Sequence, residues 1–357
     1  MFNLAKENIV KIKPYIPGKP IDEVKRELGL EDVIKLASNE NPLGPSSKAL
    51  NAIRKVLQDI NRYPEGNAFE LKLSLSKKIG VSQDHFAIGN GSNELIVLAA
   101  EAFLNKSDIV LTSELTFVVY EMVAQLMDAN LIKVPMKNNS YDIQSFISHL
   151  DKNIKMIFIA NPNNPTGTMV TQKETDELLA KISDNTIVVF DEAYAEYVDR
   201  EDYPDSLKYV EEGKNVIILR TFSKIYGLAG LRVGYAIAKP EIIEVLNKVR
   251  QPFNVNSLAQ VAALSALKDG KHIAESIKVN SEGKQYLYTL FKELNIEFVP
   301  TSANFIFVDL KRNAKEIANR LLQEGIIIRE IGETTIRITI GTFEQNEKFA
   351  QAFKKLW

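Results

Sequence analysis

The chain has 357 residues, 45% hydrophobic and 25% charged, ordinary usage for a folded protein with one large core and room for a second, smaller one. Its 44 Lys+Arg against 46 Asp+Glu leave a formal charge of -2, so no overall field favours nucleic acid or an acidic membrane surface, and anion recognition has to be local. With no cysteine there is no disulfide, thiolate nucleophile or Cys-based metal site, and His85, His149 and His272 lie too far apart in sequence to suggest a metal pair.

The opening MFNLAKENIVKIKP lacks the apolar stretch of a signal peptide, and no later segment reaches about 18 uninterrupted apolar residues. A cytoplasmic protein with no membrane partner is expected. Residues 1–40, rich in Pro and Gly through KPYIPGKP and on into NENPLGP, are too irregular for a core; an arm packed against both domains or a partner subunit is expected. From about residue 84 to 240, short β-rich runs alternate with helix-length segments: HFAIGN, DIVLTS, NLIKVPM, IKMIFIA, TIVVFDEA, NVIILRT and RVGYAIA. Seven apolar strands separated by helices predict an α/β large domain over 41–244, its mostly parallel seven-stranded sheet covered by helices on both faces. Asn93 to Leu104, apolar nearly all round, predicts a buried helix. Beyond about residue 245 the pattern changes to a long helical stretch, FVPTSANFIFVDL, the helix AKEIANRLLQEG, and the runs IIIRE and TTIRITI. A terminal helix follows, with Phe349, Phe353 and Leu356 at helical spacing, so 245–357 predicts a smaller α+β domain.

Four strand ends carry side chains suited to chemistry. GNGSNE, Gly89 to Glu94, opens the buried helix, so the N–H groups of Ser92, Asn93 and Glu94 point beyond the strand, where a phosphate fits. An N-cap explains the same residues. It is not a dinucleotide fingerprint, because Glu94 stands where the third glycine would fall. NPNNPTG, Asn161 to Gly167, leaves a strand through prolines 162 and 165, which fix φ, and through Gly167, which can take a left-handed turn position. An amide held by such a turn loses little entropy on binding a ligand. TIVVFDEAY puts Asp191 and Glu192 at a strand's carboxyl end, where open α/β sheets bind ligands and where an Asp can equally cap the next helix. No G-x-x-x-x-G-K-[ST] occurs, which excludes a P-loop ATPase.

NVIILRTFSKIYGLAGLRVG ends a strand at Thr221, places Ser223 before Lys224, and sets Arg232 eight residues after the lysine. A lysine there among Gly, Ala and Leu would be partly desolvated, which lowers its pKa and frees the amine to attack a carbonyl. Thr221, Ser223 and Arg232 could hold one phosphate; an exposed loop lysine beside a structural arginine is the other reading. An amide near a lysine, a buried aspartate, a tyrosine and a phosphate cradle suits an aromatic cofactor bearing an aldehyde, a phenolic oxygen, a ring nitrogen and a phosphate. Pyridoxal 5'-phosphate (PLP) is that cofactor.

SNENPLGPS, RYPEG, GNGSNE, NPNNPTG, DEAY, SK with LAGLRVG, and RITIGT, in this order across nearly the whole chain, resemble the fold-type I PLP-dependent aminotransferases, most closely the histidinol-phosphate aminotransferases. Each motif alone is weak, whereas the ordered set is specific. The resemblance implies that Lys224 holds the cofactor covalently, that Asp191 pairs with the ring nitrogen, and that Asn164 and Tyr194 bond the phenolic oxygen. It also implies Ser92, Asn93, Thr221, Ser223 and Arg232 around the phosphate, with Tyr63 of RYPEG reaching it from the other subunit of a homodimer with composite active sites. Phe117 would stack on the ring. One departure is Leu115 in ELTF, where the family usually has proline.

Tyr15, Arg329 and Arg337 are implied to read the substrate. Two arginines on neighbouring short strands can grip a phosphate or a carboxylate through forked hydrogen bonds, or be surface residues in weak ion pairs. By resemblance they hold the phosphate of histidinol phosphate in one half-reaction and a carboxylate of glutamate or 2-oxoglutarate in the other, in histidine biosynthesis. Three alternatives remain open: an aromatic amino-acid aminotransferase sharing every cofactor residue, a PLP-dependent phosphothreonine decarboxylase, and a PLP-fold binding module without turnover. Lys224, Asp191 and Tyr194 together weigh against the last.

Overall fold

A computed structural model describes residues 4–357, so the first three residues of the expected arm lie outside the described residues. In chain order the strands are β1 (Ile34–Lys35), β2 (Phe86–Gly89), β3 (Ile109–Ser113), β4 (Asn130–Val134), β5 (Ile154–Ala160), β6 (Ile187–Asp191) and β7 (Val216–Thr221). They continue with β8 (Gly234–Ala238), β9 (Glu297–Val299), β10 (Phe305–Asp309), β11 (Ile326–Ile327), β12 (Arg329–Glu330) and β13 (Thr335–Thr339).

All seven apolar runs form one sheet in the order β2-β8-β7-β6-β5-β3-β4. Strands β3 to β7 run parallel, and β8 is antiparallel to both of its neighbours, β7 and β2. The carboxyl ends of β2, β5, β6 and β7 therefore meet the amino end of β8 along one edge. That reversal brings Arg232, which precedes β8, to the edge that also carries Ser92, Asn164, Asp191 and Lys224. Successive strand residues bury against opposite faces: Ile157, Val188 and Ile218 in one core, Phe158, Val189 and Ile217 in the other. Helices cover both, which is why the strands read as continuous apolar runs.

The second sheet, ordered β12-β13-β10-β9, is antiparallel and packs on the helices Gly270–Glu293 and Phe343–Leu356 through Leu287, Phe291, Phe349 and Phe353. The arm is less irregular than its Pro and Gly content suggested. β1 pairs in parallel with β11, Ile34 opposite Ile326, and Ile34 and Leu36 are buried in the small core. Residues after 245 do not all leave the large core either: Ala259, Ala262 and Ala263 of the helix Ser257–Ala266 pack into it beside Ala49. We propose that the change of domain falls at the helix Gly270–Glu293, later than the composition shift at residue 245. Among the described residues, no helix is long and apolar enough to cross a membrane.

Candidate active site

Every residue implied to touch the cofactor or the substrate lines one cavity of about 570 Å³ at the sheet's carboxyl edge, except Tyr63. One end is built for an anion. The helix Ser92–Phe103 opens there, so its first backbone N–H groups lack intrahelical partners. Gly91 enters it at φ 83, and a Cβ at this position would lie 2.5 Å from Arg232 Nη2, so only glycine lets the guanidinium lie against the helix entrance. Arg232 Nη1 donates to Ser223 Oγ at 3.3 Å and to the Ala229 carbonyl at 3.1 Å; Thr221 Oγ1 accepts from the Ser223 N–H at 3.1 Å. Free helix N–H groups, a guanidinium and two hydroxyls make a donor set that fits a phosphate.

Above the cradle, Asp191 ends β6 with its carboxylate buried. Tyr120 donates to its Oδ2 at 2.8 Å and the Ala193 N–H to its Oδ1 at 3.3 Å. Burial outweighs these bonds and raises its pKa to about 6. A carboxylate so placed is suited to a protonated ring nitrogen. Lys224 donates from Nζ to the Ser38 carbonyl at 3.2 Å and lies 5.5 Å from the centre of the Tyr194 ring. Burial, then the charge of Arg337, lowers its pKa to about 8, so far more of the amine is free near neutral pH than in an ordinary lysine. Phe117 meets Tyr120 edge to face, with ring centres 5.7 Å apart. An amine, a buried carboxylate, an amide, a phenol and a phosphate cradle thus surround one space, and this set fits PLP.

At the other end Arg329 and Arg337 stand directly opposite each other on β12 and β13, which puts both guanidinium groups on one face. Arg337 donates to Asn164 Oδ1 and, at 2.6 Å, to the Ala37 carbonyl, while its Nε is buried without a partner. Arg329 lies 5.7 Å from the centre of the Tyr15 ring.

The family model for aminotransferase class I and II matches residues 31–353. The chain belongs to the class I and II aminotransferases. It is 52% identical over 357 residues to a histidinol-phosphate aminotransferase of Moorella thermoacetica, covering 99% of this chain and 92% of that protein. A histidinol-phosphate aminotransferase of Caldicellulosiruptor saccharolyticus is 46% identical over 99% of this chain and 100% of its own. In fold it matches the crystal structure of the Sinorhizobium meliloti histidinol-phosphate aminotransferase in complex with pyridoxal-5'-phosphate, with a TM-score of 0.92 and 25% identity over 100% of this chain and 99% of that one.

In this aminotransferase the three asparagines of NPNNPTG divide their work. Asn161 pairs with the Val170 backbone through both ends of its amide, and Asn163 bonds Leu115, Thr116 and Thr166, so these two hold the turn. Only Asn164 lines the cavity. The bond from Asn163 uses the Leu115 carbonyl, a group that proline would present equally, so the departure at Leu115 leaves this tie intact. Tyr63 lies elsewhere, 83% exposed and stacked on Phe253 with ring centres 4.9 Å apart. Tyr120, in the first turn of the helix Val119–Leu126, is a further member of the site that the strand-end motifs do not reveal. The carbonyls of Ala37 and Ser38 carry no sequence signal at all.

Proposed function

We propose that the protein is a PLP-dependent aminotransferase that interconverts histidinol phosphate and 2-oxoglutarate with imidazole acetol phosphate and glutamate, a step of histidine biosynthesis. When bound, PLP supplies an aldehyde carbon for exchange of the amino group and a protonated ring that takes up the electron pair left on cleavage of the substrate Cα–H bond. Lys224 Nζ would hold the group through that carbon in the resting site. Once freed by a substrate amine, Nζ would serve as the base for the substrate Cα proton. Asp191 keeps the ring nitrogen protonated, Tyr194 and Asn164 hold the phenolic oxygen, and the helix entrance with Arg232 anchors the phosphate.

One observation carries the substrate assignment: Arg329 and Arg337 stand opposed, and the buried Arg337 Nε has no partner among the described residues, which supports a second anion site apart from the cradle. Histidinol phosphate has no α-carboxylate, so its phosphate is what the pair grips; glutamate offers carboxylates to the same place. Arg337, the more buried, serves both substrates, whereas Arg329 and Tyr15 favour the phosphate. Truncating a charge-assisted partner of a buried anion costs about 2–5 kcal/mol. Arg329→Ala is therefore expected to slow the histidinol-phosphate half-reaction far more than the glutamate one, and Arg337→Ala to slow both. Single-turnover visible spectra with histidinol phosphate, histidine, phenylalanine and glutamate test this. Faster turnover of phenylalanine than of histidinol phosphate would make it an aromatic aminotransferase, and CO₂ release from phosphothreonine would make it a lyase.

The active unit we propose is a homodimer in the cytoplasm. In support, Tyr63 and Phe253 form an exposed aromatic pair, and Ile60 and Phe69 nearby in sequence are exposed as well.

A further inference from the structure

The short segment after β1 touches the site at successive residues. The Ala37 carbonyl accepts from Arg337 at 2.6 Å and the Ser38 carbonyl from Lys224 at 3.2 Å. Asn39 follows, 1% exposed and held at φ 55, a left-handed conformation that asparagine tolerates better than most residues. Its N–H donates to Thr339 Oγ1 at 2.9 Å, and its carbonyl accepts from Asn304 Nδ2 at 3.1 Å. Thr339 Oγ1 in turn donates its one proton to Asn39 Oδ1 at 3.1 Å, which turns the other end of the amide toward Tyr194. Asn39 Nδ2 donates to the Tyr194 hydroxyl at 2.9 Å. An amide N–H only donates, so the Tyr194 oxygen is the acceptor and its single proton is left free. Among the described residues Asn39 is the hydroxyl's one hydrogen-bond partner, and Tyr194 lines the cavity. The charged groups facing the phenol are Arg337, Asp191 and Lys224.

We infer that Asn39 is a positioning residue that fixes the Tyr194 hydroxyl as a donor toward the phenolic oxygen of the cofactor, with Thr339 of the small domain holding the amide in that sense. The inference rests on the PLP reading above. Accepting from Asn39 also polarises the Tyr194 O–H and strengthens it as a donor.

The readout is the pH midpoint of the holoenzyme's visible absorbance without substrate. A donor to a phenolate favours the deprotonated form, so its loss raises the midpoint. Tyr194→Phe is expected to raise it by about one pH unit. Asn39→Asp, whose carboxylate takes the Tyr194 proton for itself, is expected to raise it by a similar amount. Asn39→Gly, which keeps the left-handed backbone, is expected to raise it less. In the Tyr194→Phe background, Asn39→Asp is expected to add nothing. An Asn39→Asp shift that persists undiminished there would be an effect of charge alone and would overturn the inference. So would wild-type midpoints in both Asn39 variants. If Asn39→Asp fails to fold, judged by melting of the apoprotein, Thr339→Val frees the amide to turn and must raise the midpoint too; an unchanged value there counts against the inference. Should the wild-type protein develop no visible band with PLP, the cofactor reading itself falls, and the inference with it.

Discussion

Lys224 and Asp191 are perturbed in opposite senses by the same cause, burial, and each has its own pH window. The folded pKa of Lys224, about 8, lies below its ordinary value of 10.5, so the fold disfavours the protonated amine. That penalty on the apoprotein is present below pH 8 and is released as pH rises toward 10.5. Acylation of Lys224 in the apoprotein, followed by peptide mass spectrometry, should rise with a midpoint near pH 8. Arg337→Gln removes the second cause of the shift and should move the midpoint upward. For Asp191 the folded pKa of about 6 lies above 3.8, so the ionised form is disfavoured and apoprotein stability is lost as pH rises through this range. Asp191→Asn apoprotein should therefore melt higher than wild type at pH 7.5, by about 3 kcal/mol at most, and the gap should close toward pH 4. With PLP bound the order should reverse, because the ring nitrogen loses its partner. Both residues are legible in sequence because each stands at or just beyond the carboxyl end of an apolar strand, where open α/β sheets bind ligands. Asn39 and Tyr120 are not, since their work is a hydrogen bond to a side chain 155 and 71 residues away.

Apolar runs of four to seven residues make the strands of the large sheet visible, because burial on both faces removes polar alternation. Strand direction leaves no such mark. The reversal of β8 is set by pairing Gly89 opposite Gly234 and Thr221 opposite Gly234, and it decides that Arg232 reaches the phosphate cradle. Gly234 is required by that crossing: a Cβ there would stand 2.7 Å from the Ser92 nitrogen and 2.8 Å from the Arg220 oxygen. Backbone atoms cannot swing aside as a side-chain tip can. Gly234→Ala should separate β8 from the entrance of the helix Ser92–Phe103, lowering stability by about 1–3 kcal/mol, and should weaken PLP binding together with it. Calorimetry of the apoprotein and a PLP titration check the two effects; a variant with full cofactor affinity would mean that the cradle does not depend on this approach. β1 escaped the sequence reading for a different reason. Two residues are too few to show a period, and their partners in β11 lie about 290 residues downstream.

At the scale of the whole molecule, the cavity described by one chain contains every expected cofactor residue but Tyr63, and the chain cannot fold Tyr63 back into it while its ring is stacked on Phe253 at the surface. A site completed by a second copy accounts for both facts, since a two-fold pair would present each exposed Tyr63 to the other's phosphate cradle. Sedimentation at working concentration should then show a dimer, and a fully active monomer would refute the shared site. A sharper test mixes two damaged proteins. If Tyr63 bonds the phosphate, Tyr63→Phe removes about 1.5–3 kcal/mol, the worth of a hydrogen bond to a charged partner, and so should be inactive only when PLP is limiting. Lys224→Ala has no nucleophile at any PLP concentration. If Tyr63 acts across the interface, a heterodimer of the two carries one site with both lesions and one with neither. Random assortment at equal concentrations should restore about a quarter of wild-type activity at limiting PLP, after unfolding and refolding the mixture together. If Tyr63 acts within its own chain, each site of the heterodimer keeps one lesion and no activity returns, which would assign Tyr63 to the surface it already occupies.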